Sequence, residues 1–215
     1  MIRRMLVGLC FAALAGASAC ASGSTPLAVV SGGVSAHGLR GDVLSPPTTE
    51  PPVVLADTVG TSFHLARETR GKVVLVYFGY THCPDVCPTL MADVAQALRE
   101  SSAAVRADVE VVFISVDPVR DTRSVIRRWL DHFDPDFVGL RGSIGRVIAI
   151  QKAMGVPVSK VTPHSRHGYS VAHSAELLAF TPDREAHVVY TDGPTTIGDL
   201  RHDLAVLTTD KAYGA

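Results

Sequence analysis

The sequence lacks a charge excess of either sign. With 20 basic and 21 acidic side chains, its formal net charge is −1, whereas a protein that binds nucleic acid over a broad surface shows a strong basic excess. Because 47% of the residues are hydrophobic and only 19% are charged, the composition is also unlike that of a disordered chain. The 215 residues suit one compact domain of about 150 residues with appendages. We therefore expect a globular protein without a nucleic-acid partner.

The sequence also has no apolar run long enough for a permanent transmembrane helix. The run from Met5 to Gly16 has 12 residues, whereas a membrane-spanning helix needs about 20. It follows Arg3 and Arg4 and leads into small residues, a pattern typical of an export signal over residues 1–19. We expect the mature protein to lie outside the cytoplasm, where thiol pairs can be oxidised.

Cysteine is scarce, with four residues at positions 10, 20, 83 and 87, so the chain is not a disulfide-stapled miniprotein. Cys20 follows Ala17-Ser18-Ala19, which suits an ordinary signal peptidase but also resembles a bacterial lipobox. A polar segment follows this cysteine. We therefore expect lipidation of Cys20, which would anchor the protein at the extracytoplasmic face of the cell membrane. An unpaired Cys20 thiol is the alternative.

Composition divides the rest of the chain into a tether, one domain and a tail. Residues 20–52 are rich in Gly, Ser, Pro and Thr, which is typical of a flexible tether. We predict a single folded domain over residues 53–209 and a tail over residues 210–215.

Apolar patterns in this domain predict an α/β fold. Continuous β-branched and aromatic runs at Val73–Phe78 and Val109–Val116 are typical of strands buried on both faces of a parallel sheet. Apolar stripes, caps and breakers predict helices at Leu90–Arg99, from Asp121 or Thr122 to Phe133, at Ser143–Met154 and at Ile197–Leu207. A late strand pair is predicted at Ser174–Phe180 and Ala186–Tyr190. Alternating strands and helices followed by a hairpin indicate layers around a mixed sheet.

Two cysteines directly follow the first buried strand, where α/β proteins commonly place their sites. Pro88 would disrupt a helix that began at Pro84, but it suits the first position of a helix. We therefore predict a helix that begins at Pro88, with Cys87 as its N-cap and Cys83 in the preceding loop. The free amides at a helix N-terminus favour a thiolate, so we expect reactive sulfur here.

The two cysteines allow three kinds of chemistry. They can close a structural disulfide, exchange with the disulfide of a partner, or chelate a soft metal such as Cu(I). A structural zinc site would need two further ligands, and the sequence has no second cysteine pair. The cysteines by themselves leave the three possibilities open.

The segments around the cysteines resemble a known family. Val74 to Leu90 (VLVYFGYTHCPDVCPTL) is similar to the signature of the Sco/SenC proteins, and Phe113 to Thr122, Phe137 to Gly142 and Tyr169 to Ser174 are similar to further blocks of that family. The resemblance covers residues 53–209. It implies a thioredoxin-like, three-layer α/β fold with a central mixed sheet flanked by helices. Redox thioredoxins have Cys-x2-Cys, whereas this chain has Cys-x3-Cys.

The resemblance also implies a set of copper ligands. In the family, the two motif cysteines and a downstream histidine bind copper, and these correspond here to Cys83, Cys87 and His173. Two thiolates suit Cu(I), and an imidazole lets the same site hold Cu(II). Ala172 stands where the family commonly has Asp. If the pair acts in dithiol redox chemistry, both cysteines are catalytic, and we expect the more exposed one, Cys83, to attack.

Other polar residues near these motifs have simpler interpretations. We expect His82, which adjoins the cysteine motif, to be a solvated loop residue. His164 and His167 are expected to lie in an exposed loop. Asp117 and Asp121 resemble a carboxylate pair for acid–base chemistry, but strand-end placement and N-capping account for them more simply.

Three functions are compatible with the motifs. The resemblance favours an extracytoplasmic copper chaperone that delivers copper to the CuA centre of cytochrome c oxidase. Its expected partners are the oxidase subunit carrying CuA, another periplasmic copper chaperone as donor, and the membrane through the lipid anchor, and we expect a monomer. The alternative is a thiol–disulfide oxidoreductase that keeps the oxidase cysteines reduced. A peroxide-reducing enzyme with a cysteine nucleophile is the least favoured.

Overall fold

Strands and helices alternate along most of the folded chain. The computed structural model describes residues 29–30, 38–164, 168–191, 196–210 and 213. The strands are β1 (Val29–Val30), β2 (Asp42–Thr49), β3 (Val54–Asp57), β4 (Ser62–His64), β5 (Val73–Gly79), β6 (Val109–Ser115), β7 (Val138–Arg141), β8 (Lys160–His164), β9 (Gly168–Ala172), β10 (Leu177–Phe180) and β11 (Glu185–Tyr190). The helices are α1 (Leu65–Glu68), α2 (Val86–Arg99), α3 (Ala103–Ala107), α4 (Arg123–Leu130), α5 (Ile144–Ala153) and α6 (Ile197–Thr209).

A mixed sheet forms the centre of the described part of the chain. Its nine strands follow the order β1-β2-β11-β10-β5-β6-β7-β3-β4. Strands β5, β6 and β7 are parallel, and β10 runs antiparallel to β5. Helices α2, α3 and α6 contact one another, and α4 packs against β7. The predicted α/β class, with a central mixed sheet flanked by helices, is confirmed.

The centre of the sheet is buried because its strands are apolar on both faces. All seven residues of β5 are buried, and so are six of the seven in β6. The two strands pair from Val73 opposite Val109 to Gly79 opposite Ser115. Strands covered by helices on both faces have this continuous apolar character. The predicted strands are confirmed, and the carboxyl end of β5 leads directly into the cysteine motif.

Helices α4, α5 and α6 begin at hydroxyl caps. The side chains of Thr122, Ser143 and Thr196 accept hydrogen bonds from the third backbone amide of α4, α5 and α6, respectively. Each satisfies an amide that has no partner within its helix. Of the two caps predicted for α4, Thr122 is therefore the one used, and the N-cap prediction for Asp121 is wrong.

The folded domain begins before Val53, so the predicted tether is too long. Strand β2 pairs with β11, and Leu39 and Leu44 are buried. The pairing is interrupted between Ala186 and Val188, opposite the two prolines of β2, which have no amide to donate. Proline and serine are typical of linkers, but the open edge of β11 needs a partner strand for its backbone groups.

The predicted tail also contributes to the fold. Tyr213 is buried, and its ring centroid lies 4.9 Å from that of His187. A tyrosine four residues beyond the last helix therefore covers β11.

Strands β8 and β9 form a two-stranded ribbon, where the sequence predicts an exposed loop. Lys160 pairs with Ala172, and His164 pairs with Gly168. The loop prediction is therefore wrong for residues 162–164, whose backbone groups pair with β9 although the sequence has little apolar alternation. The side chains of His164 and His167 lie outside the described residues. The short strand β7 was not predicted either.

Candidate metal centre

The cysteine motif begins with a turn and continues into α2. The backbone amide of Cys83 donates to the Tyr80 carbonyl oxygen over 3.1 Å. Helix α2 begins at Val86, so the predictions that it begins at Pro88 and that Cys87 is its N-cap are wrong by two residues. Pro88 is the third helical residue, where a backbone amide would have no partner inside the helix. The missing amide therefore costs the helix nothing.

The two cysteines face each other across this turn, and neither forms a disulfide. The backbone amide of Cys87 lies 3.5 Å from the Sγ atom of Cys83. The hydroxyl of Tyr77 donates to the Sγ atom of Cys87 over 3.4 Å. Cys83 is 8% exposed and Cys87 is fully buried, which confirms that Cys83 is the more exposed sulfur.

His173 follows β9 and lies against both sulfurs. Its Nε2 atom lies 3.6 Å from the Sγ atom of Cys83 and 3.4 Å from that of Cys87. Its Nδ1 atom lies 3.1 Å from the Phe78 carbonyl oxygen and 2.8 Å from the Ser174 carbonyl oxygen. Carbonyl oxygens only accept, so Nδ1 carries the proton. The Nε2 lone pair is therefore directed at the two sulfurs.

Burial sets the protonation of these groups. It raises the pKa of the Cys87 thiol to about 12, although a hydrogen bond from Tyr77 opposes this increase. Burial also lowers the pKa of His173, which keeps the imidazole neutral at pH 7. For Cys87 in the metal-free protein, desolvation outweighs the hydrogen bonds that favour the thiolate, so the expectation of a favoured thiolate at this helix N-terminus is wrong.

Cys83, Cys87 and His173 form the one group of possible metal ligands found among the described residues. Their donor atoms all lie within 4.8 Å of one another. Two sulfurs and an imidazole nitrogen are the donors that soft ions prefer, and a fourth ligand for a structural zinc ion is lacking within this group. The arrangement suits a soft metal ion held by three ligands, or a dithiol that is reversibly oxidised to a disulfide.

The two aspartates after β6 have structural roles around this centre. The carboxylate of Asp117 accepts a hydrogen bond from the Tyr169 hydroxyl over 2.6 Å and pairs with Arg120. That of Asp121 accepts hydrogen bonds from the hydroxyls of Thr81 and Ser115, each over 2.6 Å. Neither carboxylate contacts a sulfur or the imidazole of the group. The sequence pattern pointed to these residues but not to Tyr169 and Thr81, the partners that come from distant segments.

His82 does not belong to the group of donor residues. It is exposed, and its Nδ1 atom lies 3.0 Å from the hydroxyl oxygen of Thr81 and 3.8 Å from a carboxylate oxygen of Asp121. The expectation that His82 is a solvated loop residue is confirmed.

The proposed lipidation site Cys20 and the export signal lie outside the described residues. Among the helices that the structure describes, none is both long and apolar enough to cross a membrane.

The fold and the centre define a class of protein: a thioredoxin-like domain with a dithiol and an imidazole at the carboxyl end of a parallel strand. The sequence profile of the SCO1/SenC family matches residues 43–208. The chain therefore belongs to the SCO1/SenC family.

Individual relatives agree with this assignment. The chain is 36% identical to the human mitochondrial SCO1 homolog over 120 residues, which are 55% of this chain and 40% of that one. Copper-bound ScoI of Bradyrhizobium japonicum is 30% identical, with a TM-score of 0.65 over 74% of this chain and 99% of that one. Apo Sco1 of Thermus thermophilus is 30% identical, with a TM-score of 0.71 over 80% and 99%. The chain spans about half the length of the curated relatives it matches.

Proposed function

We propose that the protein is an extracytoplasmic copper chaperone that uses Cys83, Cys87 and His173 to deliver copper to the CuA centre of cytochrome c oxidase. The observation that carries this proposal is the convergence of two sulfurs and one imidazole nitrogen within 4.8 Å. The copper-bound structure of the related ScoI supports the choice of metal.

The donor set supports binding of both copper oxidation states. Thiolates are soft ligands that favour Cu(I), and the neutral imidazole adds a nitrogen that Cu(II) prefers. Copper would replace the protons of the thiols, so the high pKa of Cys87 makes metal-free and copper-bound states differ by released protons. Metal binding should therefore acidify a weakly buffered solution.

The exposure of the site supports transfer to another protein. Cys87 is fully buried, whereas Cys83 retains some exposure and His173 is partly buried. A thiolate of an acceptor protein could approach from the side of Cys83 and displace it first. Cys87 would then be the last ligand to leave.

The proposal is tested by an anaerobic Cu(I) titration of the fully reduced protein against a competing chelator. We expect one Cu(I) per chain, with binding lost in Cys87→Ser. His82→Ala is the matched control, because His82 adjoins Cys83 but does not belong to the donor group, and the variant should bind Cu(I) as the unsubstituted protein does. Absence of binding above background in the unsubstituted protein would overturn the proposal.

A second candidate is a thiol–disulfide oxidoreductase that keeps the copper-site cysteines of the oxidase reduced. The free dithiol and the greater exposure of Cys83 favour it. The Cys83 thiolate would attack a partner disulfide and form a mixed disulfide, and Cys87 would then release the reduced partner while the chain becomes oxidised. Rapid dithiol exchange without Cu(I) binding would favour this function.

Anchoring and partners complete the proposal. A lipid on Cys20 would hold the domain at the outer face of the cell membrane, where anchoring raises its concentration near a membrane-bound oxidase. Another periplasmic copper chaperone would load it, and it would act as a monomer. Mass spectrometry of the protein from membranes tests the anchor, since Cys20→Ala should release unlipidated protein.

A further inference from the structure

The ribbon of β8 and β9 carries His173 but does not belong to the main sheet. In the described part of the chain it forms a separate two-stranded sheet, and β9 ends one residue before His173. The cysteines, in contrast, follow β5 at the centre of the nine-stranded sheet. Strand pairing fixes the chain only after His173, where Leu177 of β10 lies opposite Tyr77 of β5, so contacts outside the two sheets must hold the ribbon that precedes His173.

A cluster of three side chains holds the ribbon to the loop after β6. The Tyr169 hydroxyl in β9 donates to the Asp117 carboxylate over 2.6 Å. Arg120 pairs with the same carboxylate, and its Nη1 atom donates to the Tyr169 carbonyl oxygen over 3.2 Å. The Arg120 guanidinium also stacks 3.9 Å from the centroid of the Tyr169 ring. Asp117 is 3% exposed, so this carboxylate is held in a single environment.

The same cluster reaches His173 through a second aromatic ring. The Arg120 guanidinium lies 5.6 Å from the centroid of the Tyr80 ring. The Tyr80 ring in turn lies edge-on to the His173 imidazole, with centroids 5.4 Å apart. Arg120 therefore lies against one aromatic ring of the ribbon and one from the segment that precedes Cys83.

The other end of the same loop holds the cysteine motif. Asp121 is fully buried and accepts hydrogen bonds from the backbone amide and the hydroxyl of Thr81, two residues before Cys83. The backbone amide of Asp121 donates to the Asp117 carbonyl oxygen over 2.9 Å. Arg141 fixes the loop by donating to the carbonyl oxygens of Asp121 and Pro118.

We propose that Asp117, Arg120 and Tyr169 are positioning residues that set the distance between the His173 imidazole and the two sulfurs. The loop over residues 117–121 supplies no ligand, yet it joins the cysteine motif to the ribbon. The inference rests on the proposed copper function for its consequence: the loop controls how much the imidazole adds to copper binding, and therefore the preference between Cu(II) and Cu(I).

The test uses Tyr169→Phe in the full chain, because it removes the hydroxyl and keeps the ring. In the metal-free protein, the nitrogen-15 NMR signals of His173 should shift as the hydrogen bond of Nδ1 to the Phe78 carbonyl oxygen loosens, while the contact with the Ser174 carbonyl oxygen keeps the proton on Nδ1. Cu(II) affinity should fall by about 10- to 100-fold, as for other residues that orient a metal ligand. Cu(I) affinity should change by less than about threefold, because thiolates dominate it.

Tyr190→Phe is the matched control. Its hydroxyl also donates to a buried carboxylate, that of Asp203, over 3.2 Å, but this hydrogen bond lies apart from the three donor residues. The substitution should leave the His173 spectrum and both copper affinities unchanged. Arg120→Lys, which keeps the charge and loses the stacked fork, is the second variant and should resemble Tyr169→Phe.

The outcomes separate the inference from the proposed function. An unchanged His173 spectrum in Tyr169→Phe and Arg120→Lys, or an equal spectral change in Tyr190→Phe, would overturn the positioning role. Equal losses of Cu(I) and Cu(II) affinity in Tyr169→Phe would also overturn it. If the unsubstituted protein bound no copper, the proposed function would fail, while the spectrum of the metal-free protein would still decide the inference.

Discussion

The Nε2 atom of His173 lies 3.4 Å from the Sγ atom of Cys87, although 86 residues separate them in the chain. The contact exists only when the ribbon and the β5–α2 turn are both folded. Metal binding by this group is therefore coupled to the folded state, and substitutions that move either segment should alter it.

Replacement of the histidine should separate the two copper oxidation states. We expect His173→Ala to weaken Cu(II) binding by more than the roughly 100-fold that loss of an orienting residue costs. Cu(I) binding and dithiol exchange should be largely kept, because they need only the sulfurs. Competition titrations with both ions and an exchange assay with a small disulfide measure these effects.

The control for this prediction is His82→Ala, which should behave as the unsubstituted protein in all three assays. An equal loss of Cu(II) binding and dithiol exchange in His173→Ala would contradict this assignment, because a residue that acts only as a metal ligand is not needed for dithiol exchange.

The end of β5 has no room for a side chain beside the buried sulfur. A Cβ atom on Gly79 would lie 2.9 Å from the Sγ atom of Cys87 and 2.8 Å from the rings of Tyr77 and Phe113. We expect Gly79→Ala to lower the free energy of unfolding by about 1–3 kcal/mol and to weaken Cu(I) binding, because Cys87 must shift. Urea unfolding and Cu(I) titration measure the two effects.

Gly145→Ala provides a control of opposite sign. Gly145 lies in α5, and a Cβ atom added there would meet no neighbouring atom within 4 Å. Alanine should therefore stabilise the helix by about 0.5–1 kcal/mol and leave Cu(I) binding intact. If Gly79→Ala bound Cu(I) as the unsubstituted protein does, the prediction that the added methyl group displaces the sulfur of Cys87 would be wrong.

The position of the domain boundary predicts the effect of truncation. A chain that begins at Val53 lacks β2 and exposes the edge of β11. It also loses Leu39 and Leu44, whose burial contributes about 1.5–3 kcal/mol each. We expect this chain to unfold at a much lower urea concentration than one that begins at Gly38. Equal urea midpoints for the two chains would support a domain that begins at Val53, the boundary predicted from composition.

The capping box of α6 predicts a pH-dependent contribution to stability. Hydrogen bonds from Thr196 hold the pKa of Asp199 below its usual value of 3.8. A carboxyl whose pKa is lowered by folding stabilises the protein above its unfolded pKa and loses this contribution as pH falls through the folded pKa. Thr196→Ala should therefore cost about 1 kcal/mol at pH 7 and less in strongly acidic solution.

Urea unfolding at neutral and at acidic pH checks this prediction. Thr209→Ala in the last turn of the same helix is the control, and it should change stability by less than about 0.5 kcal/mol at either pH. A destabilisation by Thr196→Ala that is independent of pH would show that Asp199 does not contribute through its charge.

Local patterns were sufficient for the elements that are apolar in themselves. The runs at Val73–Phe78 and Val109–Val116 predicted β5 and β6 because a strand buried on both faces needs apolar side chains at every position. The hydroxyls of Ser143 and Thr122 marked helix starts because a cap acts on amides only three residues away. Such features can be predicted from the sequence because they depend only on residues that lie close together in the chain.

The sequence by itself thus determined the buried strands, most of the helices and, through the family resemblance, the residue types of the candidate centre. Tertiary structure decided the rest. It recruited the proline-rich β2 to the open edge of β11, buried Cys87 so deeply that its pKa rises to about 12, and gave Asp117 and Asp121 partners in distant segments. These features depend on contacts between residues that are far apart in the chain, and no local pattern of side chains encodes the neighbour that folding will supply.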